Sequence, residues 1–473
     1  MSAYKLVSQT FSWVSTLIVA HLLAPADYGL MTMATILTGY VQLLLEFGIG
    51  NAIVQSEDVN ENKLSSSFWF ITVWGLLMAA ICYFLAYPTV LVFNEPAIYH
   101  VTQSVAILFV FITISIVPRS ILQRELKFKE MGLIDTVAVL LSCISMIIIA
   151  WKGGGVWTLI GGNIIREAIR TVLLFTVIKW RPKIHFNFDE IKPFLKFGIN
   201  ILLSTTIYYA YYRADRFFGG REIGSIELGY YALALQLAVI PTEKIVTLIN
   251  SVAYPVFSRL QRAKNDFNRF FLQISNLIAL FTFPLFTGGM YIAEELIVLF
   301  VGEKWLPTAA PFAVLCLSKM VDAIFTPLKL VHIAQNRTKW PLIFDATLMP
   351  FLVGAFWFAS NYHSIYILAL PWLAVFIPFM IGFLILTLKK IDVKVWTYVR
   401  SIAHPAIATG LMIFVLFVVR YTFRYFQYEV TKNRLIFVTF SILAGFIVYS
   451  SYILLFQRKL LVTLFTMAKK KEV

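Results

Sequence analysis

The sequence predicts an all-α polytopic membrane protein of about 14 transmembrane helices, arranged as two six-helix lobes followed by two extra helices. Three observations carry this reading. From Leu6 to Phe456, apolar stretches of membrane-crossing length follow one another with only short polar breaks. Hydrophobic residues make up 59% of the chain, and its mean hydropathy is +0.79. The Lys and Arg residues behind the net charge of +15 recur in alternate short loops.

A bilayer core about 30 Å thick takes roughly 20 apolar residues of helix. Windows of that length, punctuated by Pro, Gly and charge, place the first six spans at about Tyr4 to Ala24, Tyr28 to Gln55, Ser66 to Phe93, Tyr99 to Val117, Met131 to Trp151 and Val156 to Trp180. Six more run from Phe194 to Phe218, Gly229 to Phe257, Phe270 to Phe300, Thr308 to Ile333, Trp340 to Ser360 and Ile365 to Leu388. The last two are Val399 to Tyr421 and Arg434 to Phe456. Trp69, Trp151, Trp157, Trp180, Trp305 and Trp340 fall near span ends, where indoles collect at headgroup level. The first stretch shows no small-residue cleavage pattern and is read as the first span, not a signal peptide.

The basic loops alternate. Arg119, Arg124, Lys127 and Lys129 form one; Lys179, Arg181, Lys183, Lys192 and Lys196 the next; then come Arg259, Arg262, Lys264 and Arg269. Arg337 and Lys339, then Lys389, Lys390 and Lys394, and finally the tail Lys469 to Lys471, complete the series. Opposite loops stay poor in Lys and Arg until those with Arg221 and Lys432. Both termini are therefore expected in the cytoplasm. Basic residues dispersed over many loops do not make a nucleic-acid face, so no nucleic-acid partner is expected. Cys82, Cys143 and Cys316 lie inside apolar spans, without disulfide or metal-ligand spacing.

Two junctions 200 positions apart resemble each other. One reads Leu23-Ala24-Pro25-Ala26-Asp27-Tyr28-Gly29-Leu30 and the other Ile223-Gly224-Ser225-Ile226-Glu227-Leu228-Gly229-Tyr230. In each, an acid stands two residues before a Gly that opens the next helix. Six spans per unit keep both copies in the same orientation, related by an axis along the membrane normal. The lobes are then residues 1–185 and 186–390, with 391–473 holding the two extra helices and a basic cytoplasmic tail. Two unrelated tight turns that share an acid and a Gly would look the same.

Four segments resemble the Wzx/TuaB-type polysaccharide flippases of the multidrug/oligosaccharidyl-lipid/polysaccharide exporter superfamily. They are Glu46-Phe47-Gly48-Ile49-Gly50-Asn51-Ala52-Ile53-Val54-Gln55, Arg119-Ser120-Ile121-Leu122-Gln123-Arg124-Glu125-Leu126-Lys127-Phe128, Tyr254-Pro255-Val256-Phe257-Ser258-Arg259-Leu260-Gln261 and Gly302-Glu303-Lys304-Trp305. They span roughly the first two thirds of the chain in the family's order. The resemblance implies two lobes in a V around a central cavity, working by alternating access. It implies an undecaprenyl-diphosphate-linked oligosaccharide as substrate, moved across the bacterial inner membrane for surface polysaccharide synthesis, with polymerase and glycosyltransferase neighbours. Family members begin with a longer amphipathic lead, which implies a truncated start here, and His21 stands where a basic residue often closes the first helix.

An ionisable residue at the centre of a membrane helix costs roughly 2.5–3.5 kcal/mol on insertion scales, so function is sought there. Arg166 lies ten residues past Val156, about 15 Å into its span, and Arg170 shares its helix face. Lys244 and Lys319 reach similar depth. A diphosphate carries about two negative charges and needs such cations to cross hydrocarbon. The other reading pairs the same cations with Glu167, Glu243 and Asp322 as fixed interhelical contacts. Asn200, Ser204, Thr205, Tyr208, Tyr209, Tyr211 and Tyr212 offer hydroxyls, an amide and rings for sugars, or else form a packed stripe; Asn200, Tyr208 and Tyr212 lead this set. Ion coupling, by proton or sodium, has Glu46, Glu167 and Asp322 as candidates. No cofactor or metal is expected. Arg213 and Arg216, near the outer end of their span, are expected to snorkel. Pro118, Pro241, Pro284 and Pro327 either kink helices for rocking or are simply tolerated.

A membrane glycosyltransferase or polymerase would need acidic residues on a sizeable extramembrane loop, and every loop here is short and basic. The alternative within the superfamily is a cation-coupled small-molecule or drug exporter. That would favour carboxylates over Arg in the first lobe and about 12 spans.

Overall fold

The structure is a computed structural model describing residues 2–46, 48–56, 58–337, 339–425 and 433–457, with side chains undescribed at 2–6, 46, 196–204, 243–245, 247–248, 250–252 and 254. Every regular element among these residues is helical. The chain divides into two compact units, residues 1–232 with 356–365, and residues 233–355 with 366–473.

The first unit opens with α1 (Ser2–Leu22) and α2 (Pro25–Glu46). Pro25 sits where a helix start has no use for an N–H, and the Asp27 carboxylate accepts from Ala24 N at 2.9 Å, closing the turn between them. Gly48, at φ 66°, breaks α2 from the short α3 (Ile49–Gln55). Asn60 then caps α4 (Glu61–Phe84) by accepting from Lys63 N, and α5 (Ala86–Phe93) leads to α6 (Ile98–Arg124). A tight turn with Leu126 at φ 55° joins α6 to α7 (Phe128–Trp151), and α8 (Val156–Val177) returns beside it. Then follow α9 (Phe188–Glu222) and α10 (Ser225–Arg259), whose first two turns belong to this unit.

The segment between α8 and α9 is strapped to the start of α4. Trp69 Nε1 donates to Lys183 O at 2.8 Å, Lys183 N to Ser65 Oγ at 3.1 Å, and Asn187 N to Ser66 Oγ at 3.0 Å. The Ser66 hydroxyl donates to Glu190 at 2.6 Å, and His185 stands beside the same carboxylate; the hydroxyl first, then the imidazole, hold Glu190 below the usual carboxylate range.

The two look-alike junctions meet. A Cβ on Gly29 would lie 1.8 Å from Ser225 O, and one on Gly229 would lie 1.8 Å from Pro25 O. Each glycine thus sits over the carbonyl four residues before the other, so the starts of α2 and α10 cross at backbone contact in a two-fold relation. Only a missing side chain permits that approach.

The second unit takes the rest of α10, then α11 (Lys264–Tyr291), α12 (Ala293–Phe300), a 3₁₀ turn (Glu303–Thr308), α13 (Ala309–Ala334) and α14 (Lys339–Ser360, up to Ala355). Next come α15 (Ile365–Ala369), a π-helical turn (Trp372–Phe376), α16 (Ile377–Lys390), α17 (Val395–Tyr425) and α18 (Arg434–Phe456). Phe271 stacks on Tyr398 and Tyr449 Oη donates to Leu280 O, so α17 and α18 both dock on α11. Between α11 and α18, over α17, lies an apolar cleft of about 660 Å³ lined by residues such as Leu280, Pro284, Met412 and Ile453. Trp305, expected at headgroup level, is instead fully buried, because the 3₁₀ turn folds it into protein.

Ten of the described helices or helix pairs are long and apolar enough to cross a membrane. Helices α1, α8, α9 and α10 have the length, at 21, 22, 35 and 35 residues, but are more polar. In α8 the cause is three charges within five residues, Arg166, Glu167 and Arg170. Pro118, Pro241, Pro284 and Pro327 all lie inside helices.

Candidate functional site

Helices α6, α7 and α8 carry a ladder of alternating charge. It begins with Arg119, five residues before the end of α6, whose Nη2 lies 3.4 Å from Asp135 Oδ2 on α7. The other Asp135 oxygen accepts from Arg170 Nε on α8 at 3.0 Å. Arg170 Nη1 also donates to both Glu167 oxygens, at 2.7 and 2.9 Å, and Glu167 Oε1 meets Arg166 Nε at 3.2 Å. The order is Arg119, Asp135, Arg170, Glu167, Arg166. It climbs from near the α6–α7 turn toward the middle of α8, where Arg166 lies eleven residues, roughly 16 Å, from the helix end.

Packing sets the ladder's geometry. Ser142 Oγ on α7 donates to Gly162 O on α8 at 2.7 Å, a contact that brings the two helices close. Thr171 Oγ1 donates to Phe111 O on α6 and to Glu167 O. With α8 clamped on both sides, the Glu167 side chain is only 8% exposed and must be paired. Arg170 is bracketed by two carboxylates, Asp135 and Glu167, as an inner rung of the ladder. Arg166 differs: its side chain is 39% exposed, and its terminal nitrogens donate to no described residue. The ladder holds three guanidiniums and two carboxylates, leaving one positive charge in excess.

Lys319 on α13 is 3% exposed, with its Nζ 3.3 Å from Asp322 Oδ2 and 5.3 Å from the Trp372 ring centroid. The π-helical turn presents that indole. Two further pairs escaped the sequence reading. Lys329 Nζ lies 2.9 and 3.1 Å from the Asp345 oxygens across α13 and α14, and Arg420 Nη2 lies 2.7 Å from Glu295 between α17 and α12.

On α9, Tyr208 stacks on Tyr212 at 5.0 Å and is 40% exposed, whereas Tyr211 is buried. Tyr209 is spent on packing, its hydroxyl donating to Ile36 O at 2.7 Å. Arg213 covers the Tyr209 ring. Arg216 does not snorkel: it is buried, with Nε 3.2 Å from the fully buried Asp215, which also accepts from Tyr231 Oη at 2.8 Å. A carboxylate one residue away made burial cheaper than reaching for water. The side chains of Glu46, Asn200, Ser204, Glu243 and Lys244 lie outside the described set.

Arg119 and Arg124, counted from sequence as loop residues, are helical. Arg124 Nη1 donates to Ile53 O at 3.1 Å and to Ser56 O, capping the last carbonyls of α3. Asp135 was missed altogether. A signal existed, because Arg119 and Asp135 stand symmetrically about Lys127 in the α6–α7 hairpin, so an antiparallel pair places opposite charges side by side.

Residues 18–310 match the family model described as polysaccharide biosynthesis protein. The chain belongs to this polysaccharide biosynthesis protein family. Among curated relatives, the family member is 25% identical over 326 residues to the lipopolysaccharide biosynthesis protein WzxC of Escherichia coli (strain K12), covering 68% of this chain and 66% of WzxC. It is 25% identical over 417 residues to the teichuronic acid biosynthesis protein TuaB of Bacillus subtilis (strain 168), covering 87% and 85%. Among solved structures it shares its fold with one described as lipid II flippase MurJ in an inward closed conformation. The TM-score is 0.78 at 16% identity, covering 98% of this chain and all of that one. The family member is thus a multi-pass helical membrane protein built on a transporter fold.

Proposed function

We propose that this protein is a flippase that carries undecaprenyl-diphosphate-linked oligosaccharide units from the inner to the outer leaflet of the bacterial inner membrane, for surface polysaccharide synthesis. Family membership and fold support a transporter of this pathway. The observation that carries the substrate reading is the ladder's exposed end. Arg166 holds an open guanidinium deep in α8, in a cluster with excess positive charge. Such a group suits bidentate contact with phosphate oxygens. In this reading both termini are cytoplasmic, so the ladder leads from the inner surface toward the midplane. Alternating access then exposes it to one leaflet at a time, with polymerase and glycosyltransferase acting after and before.

The test is Arg166→Ala in cells that make the polysaccharide. Surface polymer should fall about 10- to 100-fold, the worth of one or two charge-assisted contacts, while the protein's membrane level holds. Lipid-linked units should build up on the inner leaflet. Arg166→Lys should recover part of the export, because charge survives while the fork is lost. Unchanged export in Arg166→Ala would overturn the reading.

A further inference from the structure

We propose that Asp135 is a proton-linked counter-ion of the ladder, taking up one proton when a diphosphate diester binds there. The inference rests on the reading of the ladder as the diphosphate's site. It begins with charge balance. Three guanidiniums against two carboxylates leave one positive charge, whereas a diphosphate diester brings about two negative ones. Within a membrane helix an uncompensated charge is costly. One proton on one carboxylate closes the difference.

Geometry selects the carboxylate. Glu167 is 8% exposed and receives three contacts, two of them from Arg170 at 2.7 and 2.9 Å. Asp135 is 36% exposed and has two contacts, at 3.0 and 3.4 Å. A proton on Asp135 breaks fewer and longer contacts than one on Glu167. Once the new O–H bond forms, Arg170 Nε and Arg119 Nη2 are released to the phosphate oxygens. Glu167 still holds Arg170 in place through Nη1. Glu167 is then the positioning carboxylate, and Asp135 the one the substrate supplants.

Among the described residues packed around Asp135, the other carboxylate of the ladder is Glu167. Helix α6 brings Arg119; helix α8 brings Arg170, with Glu167 and Arg166 behind it. Helix α1 also packs on α7, and among its described side chains the one titratable group is His21, at its far end from Ser2. On α7 itself, Lys129 and Glu130 stand more than a turn away.

The experiment measures binding of a synthetic undecaprenyl-diphosphate-N-acetylglucosamine to the full chain in nanodiscs. Calorimetry in two buffers of different ionisation heat counts protons, and Kd is followed between about pH 6 and pH 8. Uptake of one proton with the ligand means that Kd should weaken by up to about tenfold for each unit of rising pH. Asp135→Asn should bind with a flat pH profile and no uptake, and Asp135→Glu should restore both. Wild-type binding with no proton uptake would overturn the proposal, and that measurement stands even where Asp135→Asn does not fold. A different outcome strikes the reading beneath it: Arg166→Ala binding the probe as tightly as wild type removes the ladder as the diphosphate's site.

Discussion

The charges on α6, α7 and α8 of the first unit form a linked, unbalanced network, whereas the described ion pairs inside the second unit each join one cation to one carboxylate. On α6, α7 and α8, five groups share contacts and leave one positive charge over. In the second unit, Lys319 with Asp322, Lys329 with Asp345, and Arg420 with Glu295 each match one cation to one carboxylate. Two of these pairs, Lys329 with Asp345 and Arg420 with Glu295, fasten one helix to another. An unbalanced network holds its groups in position while leaving capacity for a ligand. Buried charge is therefore not by itself a mark of function in this fold.

The sharpest way to break this comparison is to remove charge from each region. Arg170→Ala should reduce both export and protein level, because it strands Glu167 as a buried, half-paired carboxylate, a loss of about 3–5 kcal/mol. Arg166→Ala should reduce export alone. Equal membrane levels for the two variants, read by immunoblot, would erase the distinction between rung and open end.

The second region should respond oppositely to single and paired substitution. Lys329→Met should destabilise by about 1–3 kcal/mol, while Lys329→Met with Asp345→Leu should return close to wild type, because apolar replacement of both partners of a half-buried pair leaves no charge stranded. Export by the double variant should stay within about twofold. If the double variant folds normally but exports nothing, Lys329 and Asp345 belong to the transport machinery and the contrast fails.

The glycine crossing predicts an effect of similar kind on a different element. Gly29→Leu or Gly229→Leu drives a side chain into a backbone carbonyl, and overpacking of that sort costs about 1–3 kcal/mol. Thermal unfolding in detergent should show it. Cysteines at Ala26 and Ile226, beside the crossing, should crosslink in the wild-type background and do so less in either leucine variant.

The smallest effect is expected at the strap between α8 and α9. Ser66→Ala should cost about 1 kcal/mol, the net worth of the hydrogen bonds its hydroxyl makes with Glu190 and Asn187. With the Glu190 carboxyl held below its ordinary value, the strap's contribution is present above the unfolded value near about pH 4 and lost as pH falls through the lower folded value. Wild type and Ser66→Ala should therefore converge in acid and differ by a constant amount from about pH 5 to 8.

Much of the architecture was legible because a bilayer imposes it. Spans read from apolar length meet helices in the structure, and the look-alike junctions at Gly29 and Gly229 turn out to be in contact. The site was legible in part. Arg166, Glu167 and Arg170 stand out as charges in an apolar setting, but Asp135 and Arg119 sit near span ends, where charge is unremarked. Lys329 and Asp345 were passed over for a related cause: each charge is hidden by a partner on another helix.

By itself the sequence determined an all-helical membrane chain and its deepest charges, because hydrocarbon tolerates no unpaired backbone and few ionised groups. Only the tertiary structure decided which of those charges are neutralised. Pairing depends on how three helices rotate against one another, and a turn of about 100° on any one would move a carboxylate from its arginine to lipid. That is why Arg216, one residue from Asp215, is buried and satisfied, whereas Arg166, one residue from Glu167, keeps an open face.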